Sequence, residues 1–227
     1  GTAALPARLR AAQAGVEIDL EVAAGKPPVL QGNRGLSQKS AEAGNASYYY
    51  SLTRMPTAGQ VRIGNEVFAV QGESWMDREW STSALGSDQV GWDWFSLQLS
   101  DGTELMYYQL RKADGTRDPF SRATWVDASD RSLTLDPQQI RLQILSNWQS
   151  PHSQVRYPSG WLLTVPTQEL ELTVTPLLKD QELNLAVRYW EGAVRVEGTR
   201  GGKPVQGNGY VELTGYGDER GAGPQRH

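Results

Sequence analysis

The sequence predicts an all-β protein, and three features carry that prediction. Apolar and polar residues alternate at period two in short runs that recur every ~8–12 residues, the pattern of antiparallel sandwiches and barrels. Turn chemistry between the runs comes from 24 glycines and 12 prolines, which break helices and favour tight turns. The aromatic content is 8 Trp and 9 Tyr against 3 Phe, and Trp and Tyr suit strands.

Taken in order, Val16–Val22 alternates apolar and acidic residues, as a strand with one wet face does. Lys26-Pro27-Pro28 ends it, and the polar, glycine-bearing stretch 31–44 is expected to be a loop. Residues 46–54 form a β-prone run with aromatics on both faces. Residues 59–64 and 66–70 make a hairpin about Gly64-Asn65. Residues 92–99 and 104–111 flank Ser100-Asp101-Gly102-Thr103, a second hairpin signal, and Ala113-Asp114-Gly115 turns the chain again. Further strands are expected at Arg122–Val126, 140–145, Trp161–Val165, 170–175, 194–198 and 207–214. Residues 8–14 and 183–188 alone have the composition of short helices, and the polar tail 218–227 is expected to be frayed.

Composition narrows the function. The chain has 227 residues, 22 basic against 26 acidic, for a net charge of −4, so it lacks the basic footprint of a nucleic-acid partner. Without cysteine, disulfides, thiol catalysis and cysteine-ligated zinc are excluded; two histidines rule out a multi-histidine metal site. No cofactor motif stands in the right setting: Gly207-Asn208-Gly209 lacks the strand–turn–helix of a dinucleotide site. No apolar run approaches the ~18–20 residues of a membrane-spanning helix. The chain opens on Gly1 with no charged-then-apolar leader, as a processed chain or a fragment would.

Residues 82–217 hold enough strands for one barrel of about eight. Residues 1–81 hold too few to close one, and so add to the second barrel or form part of a first. The densest chemistry is Gly72-Glu73-Ser74-Trp75-Met76-Asp77-Arg78-Glu79-Trp80. In an extended segment Asp77 and Glu79 share one face, and Arg78 and Trp80 share the other. Paired carboxylates can titrate apart and supply a general acid; equally, they can belong to a buried polar network in which Arg78 fixes a domain junction. In Gly91-Trp92-Asp93-Trp94-Phe95, Trp92 and Trp94 share a face. They line an apolar ligand pocket that Tyr107, Tyr108 and Arg111 complete, or they fill a core. Glu191 and Glu212 stand amid apolar residues and need partners if buried, with Arg78, Arg111 and Arg188 as candidates. His152 lies in a polar loop with no Gly-x-Ser-x-Gly elbow, which argues against a serine hydrolase.

Five strings, in order, carry a family resemblance: Asn45-Ala46-Ser47-Tyr48-Tyr49-Tyr50-Ser51, Trp75-Met76-Asp77-Arg78-Glu79-Trp80, Gly91-Trp92-Asp93-Trp94-Phe95, Tyr189-Trp190-Glu191-Gly192 and Gly209-Tyr210-Val211-Glu212-Leu213-Thr214-Gly215-Tyr216. From about Val29 to Tyr216 the chain resembles the AttH-type lipocalin-like proteins, relatives of carotenoid 1,2-hydratase (hydroxyneurosporene synthase). The resemblance implies two lipocalin-like barrels, with 1–81 the later part of the first, 82–217 the second, and 218–227 a flexible tail. The first barrel's opening strands, with their usual Glu-Trp-Trp-Tyr string, are not in this chain, which favours a fragment. It further implies a bacterial protein exported to the periplasm or beyond, encoded beside a permease-type membrane complex that is its expected partner. Hydratase relatives add water to an isoprenoid double bond. Where they tend to carry His after the motif's Asp, this chain has Arg78, which cannot shuttle a proton near neutral pH.

The expected function is therefore binding of an elongated apolar molecule, an isoprenoid or lipid, near Trp80, Trp92, Trp94, Tyr107 and Arg78. The alternatives are a hydratase that protonates an alkene with Asp77 or Glu79, and a structural envelope partner of a permease. No metal or cofactor is expected.

Overall fold

A computed structural model of the chain describes residues 5–81, 85–185 and 187–217. The expected boundary at 81/82 abuts undescribed residues, and the expected tail 218–227 lies outside the described ones. The strands are β1 (Ala7–Gln13), β2 (Val16–Val22), β3 (Val29–Leu30), β4 (Leu36–Gln38), β5 (Ala46–Ile63), β6 (Glu66–Ser81), β7 (Gln89–Leu99), β8 (Glu104–Lys112), β9 (Arg122–Val126) and β10 (Ser132–Leu135). They continue with β11 (Arg141–Ile144), β12 (Asn147–Gln149), β13 (Arg156–Pro158), β14 (Trp161–Val165), β15 (Leu170–Pro176), β16 (Glu182–Asn184), β17 (Arg188–Arg200) and β18 (Lys203–Thr214). The all-β reading is correct.

The first sheet has six strands in the order β1-β2-β5-β3, with β4 and β6 also paired to β5. Its spine is the β5–β6 hairpin, which turns at Gly64-Asn65 between the paired Ile63 and Glu66. Gly64 takes the positive φ of 58° that such a two-residue turn demands. The two strands run far longer than the sequence suggests because their ladder continues through a register shift between Leu52 and Met55. Pro56, which has no N–H for the ladder, is paired with Glu73 just beyond that irregularity.

Neither expected helix forms among the described residues: 8–13 belong to β1, and 183, 184 and 188 belong to β16 and β17. All seven residues of β1 pair with β2, and all three residues of β16 pair with β17. Ladder hydrogen bonds outweigh the weak helix propensity of an Ala-containing run. The expected loop 31–44 likewise contributes β4 to the sheet.

The second sheet has ten strands in the order β10-β9-β8-β7-β18-β17-β15-β14-β11, with β16 paired to β17. Its two edges, β10 and β11, are neighbours in sequence. One 3-10 turn, Pro137–Gln139, links them, and Asp136 and Gln139 cap it reciprocally. Leu135 and Ile140, on either side of that turn, are both fully buried, so the sheet curls until its edges meet over one core. Alternate residues point inward: Phe95, Leu97 and Leu99 from β7, Tyr107 from β8, Trp161 from β14 and Trp190 from β17. Phe95 stacks on Tyr107 with ring centres 5.9 Å apart and meets Trp161 edge-on at 5.5 Å. Side chains fill this lumen.

The first sheet lies across the outer face of β7 and β8. Tyr49, Met106, Tyr108 and Leu110 form the apolar layer between them, with Trp75, Trp92 and Trp94 packed against it. At one end Glu104, with no exposed side-chain surface, is paired with Arg54 and with Lys26 at 3.0 Å. The Lys26 ammonium also donates to the carbonyls of Gly102 at 2.7 Å and Asp127 at 2.8 Å.

Candidate functional site

Where the sheets diverge they leave a cleft of about 550 Å³. Period-two geometry decides its lining. Glu73, Trp75, Asp77 and Glu79 come from β6, Trp92 and Trp94 from β7, Tyr210 and Glu212 from β18, and Tyr49 from β5. A smaller lobe of about 220 Å³ shares Tyr49, Glu79, Trp92 and Trp94 and adds Lys39 and Tyr108.

Asp77 is the most densely bonded group in the cleft. Its Oδ1 accepts from Ser51 Oγ at 2.6 Å and Trp75 Nε1 at 2.7 Å, and its Oδ2 accepts from the Tyr49 hydroxyl at 2.5 Å. Burial raises its pKa above the usual carboxylate value, against those three donors. Tyr49 in turn accepts from Trp94 Nε1 at 3.1 Å. Burial first, then the Asp77 charge, pushes its own pKa well up, so the phenol stays neutral. Glu79 accepts on Oε1 from Ser47 at 2.5 Å and from the Lys39 ammonium at 2.7 Å.

Across the cleft Glu212 accepts from Trp92 Nε1 at 2.6 Å. Burial moves its pKa from 4.5 to about 7, helped by the neighbouring charges of Glu191, Glu79 and Asp77 and opposed by the indole hydrogen bond. It is therefore divided between acid and base near neutral pH, as acid–base catalysis requires. Among the described residues no three His, Asp or Glu side chains group as metal ligands. Among the described residues, the partners of Asp77, Glu79 and Glu212 are hydroxyls, indoles and the Lys39 ammonium.

The structure brings together four of the seven residues singled out from sequence: Asp77, Glu79, Trp92 and Trp94. Arg78 and Trp80 stand exposed on the other face of β6, where Trp80 meets Tyr48 and Tyr50 at 6.3 Å. Tyr107 does not line the cleft. It points into the lumen of the second sheet because the pleat sends Tyr108, not Tyr107, to the outer face of β8. Arg111 is also turned away: it pairs with buried Asp93 at 3.1 Å and lies 3.8 Å from the centre of the Tyr216 ring. Tyr49, Trp75, Lys39 and the role of Glu212 escaped the sequence reading. The one available signal was an isolated glutamate in an apolar strand.

The AttH-like family model matches residues 1–216. The chain belongs to the AttH-like family. This AttH-like chain is 36% identical to a crystal structure assigned to AttH of Nitrosomonas europaea, with a TM-score of 0.83 over 92% of this chain and 65% of that one. It is 27% identical over 174 residues to kievitone hydratase of Fusarium solani subsp. phaseoli, matching 74% of this chain and 49% of the relative. The kievitone hydratase structure from Nectria haematococca shares the fold, with a TM-score of 0.73 at 24% identity over 91% of this chain and 64% of that one. The AttH-like chain thus spans about half the length of its curated relative and about two thirds of the solved ones.

Proposed function

We propose that the AttH-like protein is a hydratase of a hydrophobic substrate and that the inter-sheet cleft is its reaction site. The observation that carries this reading is Glu212, poised near pH 7 in an indole-walled cleft, facing the carboxylates of Asp77 and Glu79. The similarity to a protein named kievitone hydratase supports it.

The step balances as follows. The alkene π pair takes the proton from the Glu212 carboxyl, forming one C–H bond and leaving a cation on the other carbon. A water oxygen lone pair forms the C–O bond, and the oxonium proton passes to the Glu79 carboxylate, both of whose described contacts fall on Oε1. Indole faces and the Asp77 carboxylate stabilise the positive charge as it builds up on the substrate carbon. Tyr49, Ser51 and Trp75 fix the Asp77 carboxylate so that it need not reorganise. The product proton returns from Glu79 to Glu212 through solvent.

The test is oxygen-18 transfer from labelled water into acyclic isoprenoids, using wild-type protein and Glu212→Gln. Label in the product, lost in the variant, is the expected result. Saturable binding without label in any product would instead favour the second reading, a carrier of elongated apolar molecules, which rests on the three indoles lining the cleft.

A further inference from the structure

The larger lobe has an unusual charge inventory for an apolar-ligand site. Glu73, Asp77, Glu79 and Glu212 face it together with the indoles of Trp75, Trp92 and Trp94, and no lysine, arginine or histidine is among its described lining residues. An aromatic wall alone would suit a neutral hydrocarbon. Adding four carboxyls to it makes the negative faces of the rings and the acidic side chains act in the same direction.

The smaller lobe shows what such a surface does with a cation, because the chain supplies one of its own. The Lys39 ammonium lies 4.3 Å from the centre of the Tyr108 ring and 5.4 Å from that of Tyr49, and it is paired with Glu79 at 2.7 Å. An ammonium between aromatic faces and a carboxylate is thus already built into one end of the cleft. The other end offers the same elements, larger in area, with no cation of the chain's own among the lining residues.

We propose that the larger lobe is a binding site for organic cations, specifically ammonium groups carried on an aromatic or alkyl body. The site is the one assigned above to water addition, but the inference does not require turnover. At about 550 Å³ the lobe accepts a body of small drug size. Under the hydratase reading, a stable ammonium imitates the carbocation that the cleft favours, so such ligands act as inhibitors.

Binding is coupled to protons. The groups around the Glu212 carboxyl are Trp92 from β7, Asp77 and Glu79 from β6 and Glu191 from β17, with Tyr210 and Tyr189 flanking it and Lys39 in the far lobe. A bound cation favours the ionised carboxyl, so it lowers that pKa and releases a proton on binding near pH 7.

The experiment titrates tryptophan fluorescence with benzyltrimethylammonium and with neopentylbenzene, its uncharged isostere. The cation is expected to bind about tenfold more tightly than the hydrocarbon at about pH 8.5. Its affinity should fall severalfold at about pH 6 as Glu212 protonates. Glu212→Gln should flatten that pH dependence, and Trp92→Leu should weaken the cation more than the hydrocarbon. Equal affinity for the two probes, or no binding of the cation by folded wild-type protein, overturns the proposal. Cation binding without any oxygen-18 transfer leaves it standing and removes the hydratase; oxygen-18 transfer without cation binding does the reverse.

Discussion

The Tyr49 hydroxyl donates to Asp77 Oδ2 at 2.5 Å and accepts from Trp94 Nε1 at 3.1 Å, so one phenol joins a carboxylate of the first sheet to an indole of the second. Asp77 therefore reports on how the sheets are docked.

Tyr49→Phe tests that relay. It removes a donor from Asp77 and leaves the Trp94 N–H without its acceptor, at a cost of about 1–2 kcal/mol in urea unfolding. Because the lost bond favoured the carboxylate, the Asp77 pKa should rise further. A carboxyl titration followed by NMR that shows no upward movement would contradict the assigned partner.

Glu212 makes stability depend on pH. Its carboxyl ionises near 7 in the folded protein against 4.5 when unperturbed. Between those values the folded state holds a proton that the unfolded state has lost, so stability falls as pH rises through this window. The penalty is absent below pH 4.5, complete above about 7, and amounts to roughly 3 kcal/mol. Glu212→Gln retains an acceptor for Trp92 and removes the penalty. Urea denaturation at several pH values should show the variant gaining on wild type with increasing pH; parallel curves would count against a raised Glu212 pKa.

Lys26 holds the sheets together through Glu104 and the carbonyls of Gly102 and Asp127. Lys26→Met leaves the buried carboxylate with Arg54 as its cation. The expected loss is about 2 kcal/mol, with increased protease sensitivity of the loop between β2 and β3. A loss below a few tenths would mean that solvent replaces the ammonium.

Tyr107 and Trp92 should separate packing from function. Tyr107 lies in the lumen with its pKa pushed up to about 12 by burial. Tyr107→Ala should cost about 3 kcal/mol or more through the cavity it leaves, while the remaining folded fraction keeps its ligand affinity. Trp92→Leu should do the opposite, changing ligand affinity more than the unfolding midpoint.

Period two made much of this site legible. It placed Asp77 with Glu79, parted both from Arg78 and Trp80, and put Trp92 and Trp94 on one face. It could not say which face of β8 was the core, because Tyr107 and Tyr108 are chemically alike and one residue apart. Nor could it pair Glu212 with Trp92, 120 residues away. Pairings at that separation depend on the order of strands in the sheet, which local alternation does not encode. The missed strand β1 has the same origin, since its stability comes from β2 and not from its own residues.

The edges of the ten-stranded wall meet through Pro137–Gln139 and not through a ladder. A closed ring of strand pairs resists widening everywhere, whereas this ring carries a hinge pin of ordinary chain. As the edge strands of the wall, β10 and β11 are expected to exchange their amides with solvent before β7, β17 and β18 do. The cleft is lined from β7 and β18, several strands away from that seam, so loosening there is expected to leave the cleft wall in place.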